Sequence, residues 1–75
     1  MKIVKKHRWR KATDINREYA FFELIDGETP IFDIGFTDEG VLEVSFNPNI
    51  DGMVIAWDQL LLMLNEGKSL AEGDR

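Results

Sequence analysis

From Tyr19 to Phe46, large apolar side chains recur at every second position in three short runs, separated by clusters of turn-forming residues. A period of two belongs to strands with one buried face, so this stretch calls for an antiparallel sheet with a dry side and a wet side. The first run sets Ala20, Phe22 and Leu24 against Tyr19, Phe21, Glu23 and Ile25. It is broken by Asp26-Gly27-Glu28-Thr29-Pro30, where Gly is free to take positive φ and Pro lacks a ladder donor. The second run points Phe32, Ile34 and Phe36 inward and Ile31, Asp33, Gly35 and Thr37 outward. After Asp38-Glu39-Gly40, a hairpin loop whose Gly suits the left-handed position of a G1 bulge, the third sets Leu42, Val44 and Phe46 against Val41, Glu43 and Ser45.

The turns predict a register. Pairing Thr37 with Val41 brings Phe36 to Leu42, Ile34 to Val44 and Phe32 to Phe46. Pairing Ile25 with Ile31 brings Leu24 to Phe32, Phe22 to Ile34 and Ala20 to Phe36. Inward residues meet inward residues throughout, and a slip of one position would turn that face to water.

Beyond the loop 47–52 the period lengthens. Trp57, Leu60, Leu61 and Leu64 mark an amphipathic helix whose stripe continues to Lys68 and Ala71, leaving Leu62 and Met63 off it. Asp58 is the expected N-cap, with Trp57 stapled onto Leu62. Gly67 and Gly73 are the candidate C-caps, and the apolar pair Leu70 and Ala71 favours a stop near 72 over one near 66. The expected fold is α+β: an antiparallel meander of three strands, or four, with one C-terminal α-helix on one face.

Segment 1–18 is read apart from the domain 19–75. Its only large apolar residues before Ile15 are Ile3, Val4 and Trp9, and it sustains no period, so an edge strand from about Lys2 to Arg10 and a mobile arm are both open. The segment holds seven Lys or Arg against two acids, whereas residues 19–75 hold two against twelve. A basic segment is thus joined to a strongly acidic body, whose self-repulsion a cationic surface would relieve. That surface could be the segment itself, a second copy or another protein.

With no cysteine and a single histidine, His7, neither a disulfide framework nor a structural zinc site can be built, which fits a cytoplasmic address. No apolar run is longer than the five residues of Leu60–Leu64, against the roughly 20 a membrane span requires, and the start lacks the apolar core of a secretory signal. A chain of 75 residues buries only about 60 to 65% of its unfolded surface, so support from a partner or a second copy is expected.

Three constellations could carry function. Glu23, Asp33 and Glu43 project from the outer sheet face among Tyr19, Phe21, Ile25, Ile31 and Val41, which is the make-up of a partner-binding patch. The plain alternatives are the wet face of a one-sided sheet, or a face covered by the N-terminal segment. Lys5, Lys6, Arg8, Trp9 and Arg10, with His7 and Lys11 among them, could contact phosphates and stack a base, although the acidic body opposes a nucleic-acid backbone. Asn47, Asn49, Asp51, Gly52, Val54 and Asp58 resemble an EF-hand calcium loop in spacing, but Asn stands at the first position, Asp at the twelfth, and a strand precedes it. A turn built on Asn and Asp side-chain hydrogen bonds explains the same residues.

Ser45, Ser69 and His7 have no triad partners and the glycines stand singly, so no enzyme, cofactor, metal or small-molecule substrate is expected. The expectation is a small acidic protein-interaction module, inhibitor-like or self-associating, that binds a basic protein partner or a second copy. The alternative is a nucleic-acid-associated regulatory module acting through the basic segment.

Overall fold

The computed structural model describes residues 6–50 and 52–75. Four strands, β1 (His7–Ala12), β2 (Phe21–Asp26), β3 (Thr29–Phe36) and β4 (Leu42–Phe46), form one antiparallel sheet in the order β1-β2-β3-β4, and a single helix, α1 (Trp57–Gly73), packs over β2 and β3. The fold is the α+β meander that the alternation dictates, with the basic segment supplying the fourth strand.

The second hairpin follows its turn chemistry. Thr37 N–H donates to the Val41 carbonyl at 2.8 Å, Gly40 N–H returns to Thr37 at 2.9 Å, and Gly40 sits at φ +84°. The register is Phe36 to Leu42, Ile34 to Val44 and Phe32 to Phe46. In the first hairpin Leu24 meets Phe32 and Phe22 meets Ile34, yet the pairing then shifts, so that Ile25 faces Pro30 and Asp26 faces Thr29. A two-residue Gly27-Glu28 loop, with Gly27 at φ +64°, closes the hairpin and leaves Ile31 as the extra residue of a bulge.

The bulge corrects one outward assignment. Ile31 is 0% exposed and belongs to the core cluster with Phe22, Leu24, Phe32, Ile34, Phe36, Met63 and Ala71. Ile25 is also buried, outside that cluster and paired with Arg8 on β1. Tyr19, expected outside, precedes β2 and packs half-buried against the core.

The helix also departs from its expected phase. Met63, Gly67 and Ala71 form its buried line, with Leu60 and Leu64 half-buried beside it, while Trp57, Leu61 and Lys68 are exposed. The N-cap is Ala56, without a side-chain cap bond; Asp58 lies in the first turn, and both Trp57 and Leu62 face solvent in place of a staple. The helix runs past Gly67 to Gly73. Gly67 is therefore no cap: a Cβ there would lie 2.4 Å from Ile34 Cδ1 and 2.8 Å from Trp9 Cη2, so a bare backbone lets the helix approach the sheet.

Candidate functional site

β1 alternates like any strand, and the alternation sends its charges to both faces. Register with β2 places Trp9 beside Leu24 on the helix side and Arg10 beside Glu23 on the other. On the helix side, Glu66 accepts from His7 Nε2 at 2.8 Å and from Trp9 Nε1 at 3.2 Å, while Asp74 accepts from Lys11 Nζ at 2.5 Å and from the Ala20 backbone N–H at 3.3 Å. On the opposite face Arg10 pairs with Glu23, and the Arg17 guanidinium lies 4.7 Å over the Phe21 ring beside Gly35. The basic segment thus ties the helix to the sheet and spreads cations over the acidic face.

This placement bears on each predicted site residue. Glu23 and Phe21 are matched to Arg10 and Arg17, and Glu43 is exposed. Asp33 is half-buried opposite Glu23; burial raises its carboxyl above the ordinary aspartate range, Arg17 opposes that rise and Glu23 adds to it. Tyr19 belongs to the core margin. Of the basic residues, Arg10 is ion-paired, and Trp9 is half-buried, its ring edge-on 6.1 Å from Phe32 and its Nε1 bonded to Glu66. Lys6 and Arg8 are exposed, and Lys5 lies outside the described residues.

The EF-hand-like loop is built as a turn. Asn47 donates through Nδ2 to the Pro30 carbonyl at 2.8 Å, and its Oδ1 accepts from Asn49 N–H at 3.0 Å. Asp51 lies outside the described residues. Among the described residues no group of three or more His, Cys, Asp or Glu is placed to hold a metal ion, and no helix is long and apolar enough to cross a membrane.

The Glu66 contacts carry a pH signature. The hydrogen bond from His7 first, and that from Trp9 second, hold its carboxyl below the ordinary glutamate range. A lowered folded-state pKa contributes stability that is complete above the unfolded value of about 4.3 and is lost as pH falls below it. Glu66→Gln keeps an acceptor but no charge. With the side chain 40% exposed, the variant should cost a few tenths to about 1 kcal/mol at pH 7, read as a lower urea midpoint. The gap to wild type should close as pH drops through this window; a gap of constant size would remove the ionic account.

The surface that sequence reasoning missed is on the β4 side. Glu66 faces β1, and Trp57, Leu61 and Leu64 lie roughly 140–180° around the helix from it, on the flank turned away from β1. On that flank Trp57 is 71% and Leu61 40% exposed, and on β4 the inward residues Val44 and Phe46 are 40% and 60% exposed. Among the described residues the helix packs on β2 and β3 and reaches β1 through Trp9, while on the inner side of β4 Leu42 packs against the core and Val44 and Phe46 stay exposed. The signal was available in the width of the sheet: four strands are wider than one helix.

A depression of about 250 Å³ adjoins this edge, lined by Glu23, Pro30, Phe32, Asp33, Phe46 and Pro48 among others. Compared with known proteins, the chain matches no family, no curated protein and no solved structure.

Proposed function

We propose that the chain is a protein-interaction module whose contact surface is the open side of β4 and the adjoining flank of α1. The observation that carries this reading is the exposure of large apolar side chains, Val44 and Phe46 on β4 and Trp57 and Leu61 on the helix, on a chain with net charge −5. Exposed apolar anchors on a net-acidic chain suit a docking patch, with affinity from the anchors and steering from the charge. Within the basic segment Arg10 and Lys11 are held by Glu23 and Asp74 and His7 by Glu66, while Lys6 and Arg8 are exposed, so nucleic-acid binding is kept as the second reading.

Trp57 is a built-in reporter. In a Trp9→Phe background its emission should shift to the blue as the patch is covered by a cationic peptide or by raised protein concentration, and should ignore a single-stranded oligonucleotide. Emission that stays solvent-like under every protein addition overturns the reading.

A further inference from the structure

The free edge of β4 matches itself, and we propose that the occupant of this patch is a second copy of the chain, joined by antiparallel β4–β4 pairing about a two-fold axis at Val44. The inference rests on the protein-binding reading and names its partner. Thr37 N–H donates to Val41 and Asn47 N–H donates to Ile31, at opposite ends of the β3–β4 ladder. Given the register between them, the alternation of an antiparallel ladder turns the backbone groups of Val41, Glu43 and Ser45 toward β3. It leaves N–H and C=O of Leu42, Val44 and Phe46 pointing to the open edge.

Two antiparallel edges join only where outward residue meets outward residue. The register that sets Val44 on the second copy's Val44, and Leu42 on its Phe46, uses every outward residue of both strands. Setting Leu42 on the second copy's Val44 instead would place Glu43 directly opposite Glu43, a like-charge pair. Setting Val44 on Phe46 leaves Leu42 without a partner inside β4. In the favoured register Glu43 faces Ser45, so no acid on the strand opposes another.

The same pairing aligns the inner faces, since Leu42, Val44 and Phe46 continue into Phe46, Val44 and Leu42. Both helices then stand on one side of an eight-stranded sheet. With strands about 4.8 Å apart and each helix seated over β2 and β3, the helix axes lie about 20 Å from each other. The pairing covers the edge backbone of both strands together with exposed parts of Val44 and Phe46.

Because each copy carries −5, this association should tighten as salt rises, the opposite of capture of a basic partner. The chain contains no cysteine, so single cysteines report the register. Val44→Cys brings sulfur-bearing residues about 5.5 Å apart at Cα across the axis, within disulfide range. The full chain with Val44→Cys should form a covalent dimer under mild oxidation. Ser45→Cys alone should not, whereas Ser45→Cys mixed with Glu43→Cys should give the heterodimer. Sedimentation of the unsubstituted chain should show mass rising toward the dimer with concentration and salt, and Val44→Lys should stay monomeric with an unchanged far-UV spectrum. A monomer at all concentrations and salts, or Val44→Cys linking no faster than Ser45→Cys, overturns the dimer. If Trp57 still shifts with cationic peptide, only the identity of the partner was wrong; if it responds to nothing, the docking surface falls too.

Discussion

Replacing Phe32 with alanine is expected to abolish cooperative unfolding at 25 °C. Phe32 is buried at the middle of β3, pairs with Leu24 on one side and Phe46 on the other, and meets the Trp9 and Phe46 rings edge-on at 6.1 and 5.4 Å. Truncating a buried Phe costs about 3–5 kcal/mol through lost burial and the cavity left behind. A domain of this size holds about 3–5 kcal/mol in total, so the loss is comparable to the whole. Phe46→Ala, at the open side of β4, should cost only about 1 kcal/mol, because much of that ring is already in water. Urea melts followed by near-UV circular dichroism read both. A Phe32→Ala midpoint within about 1 kcal/mol of wild type would mean that the two aromatic neighbours close the gap, and that the core does not hinge on this residue.

Gly67→Ala should destabilise, although Gly to Ala inside a helix ordinarily stabilises by about 1 kcal/mol. The new methyl would meet Ile34 Cδ1 at 2.4 Å, Trp9 Cη2 at 2.8 Å and Ile34 Cγ1 at 3.3 Å, and both partners are held, Ile34 in the core and Trp9 by its bond to Glu66. Overpacking of this kind costs about 1–3 kcal/mol, so a net loss of up to about 2 kcal/mol is expected, with the β1–α1 latch loosened. Ile34→Val removes the nearest atom and alone costs about 0.5–1.5 kcal/mol. The double variant should lose less than the two singles together, a coupling that only shared contact produces. A more stable Gly67→Ala would show that the helix does not approach the sheet this closely.

These two positions also mark how far the sequence could be read. Phe32, with its neighbours on β2 and β4, followed from alternation and turn chemistry, because the period of a strand and the length of its hairpin loop are local properties. Gly67 did not: on the chain it looks like a C-cap, and only the distance to Ile34 and Trp9 reveals a close approach. The phase of the helix was misjudged for a related reason. Leu and Trp weigh more in a hydrophobic stripe than Met, Gly and Ala, yet the small residues make the closest contact where helix and sheet come together. Ile31 was lost to a bulge that one residue of loop length decides.

The candidate surface divides in the same way. Glu23, Asp33 and Phe21 were placed on one face by counting, but the segment that brings Arg10 and Arg17 to them has no period of its own and gave no sign of where it would lie. By itself the sequence determined three strands, their order along a meander, the dry face and the presence of one helix, since each is encoded within a few neighbouring residues. Only the tertiary structure decided that the basic segment becomes β1, that its charges are shared between helix and sheet, and that β4 keeps an open edge. Those outcomes depend on long-range pairing and on the width of one helix against four strands, neither of which is written in any local pattern.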